Sequence, residues 1–424
     1  MQPNVFFVKK SEISGRIDPL QFHQERRETL AKLKAARQTV HLISVTHARK
    51  QVVSESKKPY IGLENIQSNT GEYIETNEKS TFSSANVFMK GDILFPKLRP
   101  YLNKVHLAEF DGICSTEFHV FNSNGQYLNE FLTIYLRSNL IVNQTKYLMT
   151  GNTLPRLQTA DIHQLPIPVV DLDFQAALVA KYQQAEQARQ AKLAQADTLS
   201  GSIQDYLLRE LGITVPQADN ALNKRIFTVS TEQLDNRIDP LFYFHRENKM
   251  SAGKFENVPL GKIATLNKGT SLNSNSVIDG DYPVIAGGQS SPYNHHVYNF
   301  SGENITVSAS GAYSGYVWFH DYPIFASDCT VVKSKNEQEV LTKFLYEVMK
   351  LKQEEIYRLR KGAVQPHVYA VDLEKIQIPL PPLDTQRAIV AHIAQIRAQI
   401  AALQQEAADL LADTQREMER LILG

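Results

Sequence analysis

The sequence predicts an α+β protein built as two copies of one unit, each a strand-rich domain followed by a long helix. Two observations carry this. One string of residues occurs twice at a single offset of 211. Gly151-Asn-Thr-Leu-Pro155, Asp161, Leu165-Pro-Ile-Pro168 and Leu172-Asp173-Phe-Gln175 answer Gly362-Ala-Val-Gln-Pro366, Asp372, Ile376-Gln-Ile-Pro379 and Leu383-Asp384-Thr-Gln386. Each copy then runs into about forty residues of helical apolar spacing, a rod of ~60 Å at 1.5 Å per residue.

A chain of 424 residues gives each copy enough length to bury its own core. The formal net charge is zero. A basic surface would therefore have to arise by local segregation of charge. Cys114 and Cys329 do not correspond under the repeat, so they read as buried, reduced thiols rather than a shared metal or redox device. No apolar run approaches the ~20 residues that span a bilayer, and Met1-Gln-Pro-Asn is no secretory leader. A soluble, cytoplasmic protein with no membrane association is expected.

In chain order, Arg16-Ile-Asp-Pro19-Leu20 recurs as Arg237-Ile-Asp-Pro240-Leu241, now at an offset of 221. Asp before Pro marks the start of a short helix. Arg26 and Arg27, just beyond it, read more readily as a solvated helix face than as phosphate contacts. Residues 39–121 read as short strands and turns, clearest at Thr39-Val-His-Leu-Ile-Ser-Val and Asp92-Ile-Leu-Phe. At the offset of 211, Gly91-Asp-Ile-Leu94 matches Gly302-Glu-Asn-Ile305, and Ser115-Thr-Glu117-Phe-His-Val120 matches Ala326-Ser-Asp328-Cys-Thr-Val331. Between these framework segments the chemistry differs. A common scaffold with unlike side chains in one loop is the mark of a reading surface. His295-His296, the adjacent pair among twelve histidines, is expected in a surface loop rather than at a metal.

The last helix carries Ile389, Ile393, Ile396, Ile400, Leu403, Ala407 and Leu410 in alternating steps of four and three, a coiled-coil seam. The central helix follows with Leu178, Tyr182, Ala185, Ala196, Leu199, Ile203 and Tyr206, interrupted by Arg189 and Lys192. Neither seam can be buried on a small globule. The simplest partner for each helix is the other, antiparallel under a pseudo-two-fold repeat.

Catalytic signatures are missing from the sequence. There is no Gly-x-Gly-x-x-Gly, P-loop, Gly-x-Ser-x-Gly, His-Glu-x-x-His or paired Cys-x-x-Cys, nor the Asn/Asp-Pro-Pro-Tyr/Phe of amino-methyltransferases. What remains is a binding surface. Lys90, Lys97, Arg99, Tyr101, Asn103 and Lys104 gather charge and hydrogen-bonding groups in the first copy. Ser308, Ser310, Tyr313 and Tyr316 stand there in the second. Asn152 lies in the first glycine strap and Arg156 follows it, and Arg360 and Lys361 precede the second. Arg reads guanine bidentately and Lys pairs with guanine or phosphate. A solvated hairpin is the other reading of these residues.

Two unlike units, each closed by Leu/Ile-x-Ile-Pro and Leu-Asp-x-Gln and followed by a long helix, resemble the specificity (S) subunit of type I restriction–modification systems. Gly91-Asp-Ile-Leu-Phe-Pro-Lys97, Arg99-Pro-Tyr101-Leu-Asn103-Lys104-Val105 and Phe110-Asp-Gly-Ile-Cys-Ser-Thr116 look like that family's target-recognition domains. The likeness covers essentially the whole chain, although the second unit departs from the Lys-Leu-Arg-Pro-Tyr form of the loop. It implies a non-catalytic chain. Residues 1–171 and 213–382 would be target-recognition domains, each reading one half of a split double-stranded DNA sequence. Helices 172–212 and 383–424 would form the antiparallel spacer and dock two methyltransferase subunits. Those subunits, not this chain, would hold S-adenosylmethionine and modify adenine N6, and a separate motor-nuclease subunit would cut. Two other readings compete. A coiled-coil protein scaffold would lack salt-sensitive DNA binding. A fused methyltransferase or nuclease would need a cofactor or nucleotide loop.

Overall fold

The repeated Pro-containing string becomes one strand of a two-stranded antiparallel ribbon in each copy. Pro166–Pro168 pairs with Thr39–His41, and Gln377–Pro379 pairs with Asn257–Pro259. The computed structural model describes residues 18–76, 82–151, 153–215, 221, 226–234, 243, 250–362 and 364–424. Arg16 and the whole second Arg-Ile-Asp-Pro-Leu motif lie outside the described residues. In the first copy Asp18 accepts a hydrogen bond from the Leu20 amide at 3.0 Å and caps the turn Pro19–Phe22.

The strand expected from Thr39 to Val45 is shorter. It stops at His41, and Leu42–Val45 is a single helical turn. Leu42 and Val45 lie three residues apart, so one turn buries both, and the Leu42 amide donates to the Leu165 carbonyl at 2.9 Å. Leu260–Ile263 repeats this turn in the second copy.

Each strand-rich domain holds a four-stranded sheet. In the first, the order is Thr46–Ala48, Phe118–Ser123, Ile93–Pro96, His106–Leu107; in the second, Ala264–Lys268, Cys329–Ser334, Asn304–Ser308, Val317–His320. Their registers correct the expected alignment by one residue. Pro96 faces Phe118 and Ser308 faces Cys329. Phe118 and Cys329 keep the offset of 211, but Pro96 and Ser308 stand 212 apart.

The Leu-Asp-x-Gln motif has a physical reason. Gln175 and Gln386 are fully buried in the first turn of the two long helices. Gln175 Oε1 accepts from the Leu128 amide at 2.8 Å, and its Nε2 donates to the carbonyls of Gln126 and Val170. Gln386 does the same with the Leu341 amide at 2.9 Å and the Glu339 and Pro381 carbonyls. One amide side chain thus ties each helix start to the loop before the helix Asn129–Arg137 or Thr342–Leu351.

The long helices run Leu172–Leu211 and Leu383–Leu423. The chain divides into two compact units, one holding residues up to Leu193 with Gln404–Gly424, the other Ala194–Leu403. Each long helix contributes to both. In the first unit Lys181 pairs with Glu417 and Lys192 with Glu406, each at 2.5 Å, so the segments run antiparallel. In the second, Leu207 and Leu211 share a core with Ile389 and Ile393, and Tyr206 packs on His392 at 4.2 Å. The expected seam residues of the last helix, from Ile389 to Leu410, are buried or half-buried. Arg189 does not break the seam: it is buried, with its charge held by Glu186 and by Glu72 of the strand-rich domain.

The first core gathers Phe131, Tyr135 and Leu178 with Met418 and Ile422 of the last helix. The second gathers Phe344 and Leu345 with Leu207 and Leu211 of the central helix. Leu207 and Leu211 stand 211 residues before Met418 and Ile422. The same two helical positions therefore close both cores.

Candidate nucleic-acid interface

In each unit, the loop after the middle sheet strand is clasped by the glycine strap. The strap is a tight hairpin: Thr150 and Arg156 exchange backbone hydrogen bonds at 2.8 and 2.9 Å, and Lys361 and His367 do so at 2.8 Å each. Gly151 and Gly362 take φ of 92° and 102°, a conformation that favours glycine. The strap then grips the loop. The Arg99 amide donates to the Pro155 carbonyl at 2.9 Å, and the Gly311 amide to the Pro366 carbonyl at 3.1 Å. Lys97 and Ala309 also match, donating to the Glu117 and Asp328 carbonyls and accepting from the Leu157 and Val368 amides.

The two loops therefore share one backbone path. Arg99 and Gly311 both have positive φ, 47° and 84°, as do Asn103 and Gly315 at 52° and 86°. Between them, Tyr101 and Tyr313 fall at one position and are both exposed, at 42% and 47%. The one-residue shift hides this match from an alignment at the motif offset.

Among the proposed site residues, the first unit brings together Lys97, Arg99, Tyr101 and Arg156. Arg156 forks onto Glu117 at 2.8 to 3.2 Å. Its guanidinium holds the Glu117 carboxyl below the ordinary range. Beside this pair, burial and then the charges of His163, Lys97 and Lys50 push His119 down to about 4, so its ring is neutral. The remaining first-unit candidates are placed elsewhere. Lys90 precedes Ile93–Pro96 and lies at the strand end opposite the loop. Asn103 is a correction: it is buried, and its amide nitrogen donates to the Arg137 carbonyl at 2.9 Å. Lys104 is another, its ammonium donating to the Leu63 carbonyl at 2.8 Å. Asn152 lies outside the described residues.

The second unit replaces charge with small polar groups. Ser310 donates its hydroxyl to the Asp328 carboxylate. Arg360 donates from Nε to the Ser314 carbonyl at 2.7 Å and stacks on Tyr357. Ser308 is buried in the sheet, which corrects its expected place at a surface. Tyr316 lies under the Lys350 ammonium at 4.2 Å, and Lys361 pairs with Asp372 at 2.6 Å. His295, expected in a surface loop, is instead buried against Phe325, with Nδ1 accepting from the Ile278 amide at 3.2 Å. Cys114 and Cys329 are buried thiols, each pushed up to about 12 by burial.

Sequence reasoning passed over two features of this surface. Glu117 and Asp328 were visible as an acidic pair at one offset, yet their role at the loop base depends on the fold. Leu154 and Val364 expose apolar side chains at the strap tips, and only a structure reveals that.

Comparison with known proteins agrees with this architecture. The family described as Type I restriction modification DNA specificity domain matches residues 46–194 and 252–412. The Type I restriction enzyme EcoDI specificity subunit of Escherichia coli is 28% identical over 158 residues, 37% of this chain and 34% of that protein. A Mycoplasma pneumoniae chain assigned as a type I specificity subunit is 26% identical over 143 residues, 32% of this chain and 45% of that one. The matched stretches thus span between a third and a half of these relatives. A solved chain, from work on complex assembly and conformational transition of the type I R-M system, shares the fold. Its TM-score is 0.53 at 21% identity, covering 91% of this chain and 96% of that one. Among the described residues no helix is long and apolar enough to cross a membrane. With both halves matched by one family, the chain belongs to the type I restriction–modification DNA specificity family.

Proposed function

We propose that this chain is the DNA-recognition subunit of a type I restriction–modification complex, with each unit reading one half of a bipartite target. The observation that carries this is the pair of clasped loops: one backbone path bearing Lys97, Arg99 and Tyr101 in one unit and Ala309, Gly311 and Tyr313 in the other. Equal scaffolds with unequal side chains suit two unlike half-sites, because base edges are read by side chains and scaffold position is set by backbone contacts. The chain itself is non-catalytic and cytoplasmic. Its long helices hold two methyltransferase subunits, which bind S-adenosylmethionine and methylate adenine N6, and motor-nuclease subunits join that assembly.

The test is to map adenine methylation in cells expressing the chain with methyltransferase subunits. A split motif that appears only when this chain is present supports the reading. Methyl transfer by the purified chain alone, or methylation independent of it, refutes it.

A further inference from the structure

Arg99 stands in an expensive conformation. It is one of three described non-glycine residues with positive φ, and a proline follows it. Left-handed backbone is unfavourable for a residue with a Cβ, and a following proline restricts it further. The equivalent position in the second unit is Gly311, at φ of 84°, where an added Cβ would meet no atom within 4 Å. The loop path is therefore compatible with glycine, and nothing in the packing calls for an arginine. The Arg99 side chain is exposed, and among the described residues its guanidinium has no hydrogen-bond or ion-pair partner. Local strain that holds an unpartnered guanidinium at a loop tip is the mark of a functional side chain. Two residues on, Tyr101 and Tyr313 share position and exposure. A group common to both loops cannot distinguish two unlike half-sites, whereas a group present in one loop can.

We infer that the clasped loops divide their labour. Arg99 reads a guanine in the first half-site, and Tyr101 and Tyr313 hold the DNA in both halves without reading sequence. This rests on the DNA-recognition reading above. A guanidinium matches guanine O6 and N7 bidentately. A phenol hydroxyl donates to a phosphate oxygen of either strand, whatever the base. The second unit, with glycine at the reading position, takes its discrimination from other groups of its loop.

The experiment uses the full chain assembled with methyltransferase subunits. Affinity is measured on the mapped target and on duplexes altered one base pair at a time in either half. Arg99→Gly should bind the parent target about 5- to 150-fold more weakly and no longer discriminate at one G·C pair of the first half. Discrimination in the second half should be untouched. Its melting temperature should not fall, because glycine suits that φ. Tyr101→Ala and Tyr313→Ala should each weaken every duplex by a common factor of about 3 to 10, with the methylated motif unchanged. Discrimination retained at every G·C pair of the first half in Arg99→Gly overturns the inference, as does a motif altered by either tyrosine variant. If the unaltered complex shows no sequence-dependent binding, the DNA-recognition reading itself fails before any variant is compared, and this inference falls with it.

Discussion

Replacing Gln386 by alanine tests whether one buried amide locks the last helix to its domain. The side chain makes three hydrogen bonds, each 2.9 Å: it accepts from the Leu341 amide and donates to the carbonyls of Glu339 and Pro381. Each bond nets about 1 kcal/mol, and a buried group left unpaired costs about 1–3 kcal/mol. A loss of about 3–5 kcal/mol follows, since solvent reaches some of the freed partners. For a unit of roughly two hundred residues, each kcal/mol lowers the midpoint by about 2–4 °C, so a drop of ~10 °C is expected. Calorimetry of the intact chain measures it. Gln386→Glu sharpens the test, because the introduced carboxylate would face two carbonyl oxygens. Its folded pKa would rise above the unfolded value, so this variant should be most stable at low pH and lose stability as pH rises. Gln175→Ala should cause a similar loss in the first unit. An unchanged midpoint in Gln386→Ala would refute the claim that this amide anchors the helix.

Other perturbations follow from the same packing. Arg397 forks onto buried Glu347, whose carboxyl burial pushes up against the pull of that guanidinium. Arg397→Ala should cost about 3–5 kcal/mol at pH 7, and the loss should shrink as pH falls and Glu347 takes up a proton, read by thermal melts at neutral and mildly acid pH. Equal loss at both pH values would count against it. Ile393, fully buried beside Leu207 and Leu211, should not tolerate glutamate. A fall of several kcal/mol in denaturant unfolding is expected, and wild-type stability would remove Ile393 from the seam. A chain cut after Gly212 lacks Met418 and Ile422, and Leu207 and Leu211 of a second copy stand at the equivalent positions. It should sediment as a dimer and direct methylation to an inverted repeat of the first half-site. A folded monomer would refute this.

The strap and the helix starts were legible in the sequence because backbone geometry and burial dictate their residue types. Gly151 and Gly362 need positive φ, and Gln175 and Gln386 need an amide with both a donor and an acceptor. The seam was legible for the same reason, as apolar spacing fixes a helix face. The clasped loop was less so. Its alignment slipped by one residue because Arg99 and Gly311 share a conformation rather than a chemistry. Asn103 looked like a reader, but asparagine tolerates the left-handed backbone that Gly315 adopts at the equivalent place. Its buried amide serves the Arg137 carbonyl instead. Lys104 looked like a DNA contact and Arg189 like a break in the seam, and their partners, the Leu63 carbonyl and Glu72, come from distant sequence that no local pattern predicts.

The shared closing of the cores has a consequence for biosynthesis. Phe131, Ile134 and Tyr135 line one small cavity with Met418, Glu419 and Ile422, and the Asn139 amide donates to Glu419 at 2.6 Å. Residues 131–135 leave the ribosome long before residues 418–422, so this core emerges with an open apolar trough. The plug follows only after roughly 280 more residues, a delay of roughly fifteen seconds to a minute at typical elongation rates. During that wait a neighbouring nascent chain already displays Leu207 and Leu211 in the same spacing. A polysome crowded with half-made copies is therefore the place where this protein is most exposed to entanglement with itself, and where a chaperone covering the trough would matter most.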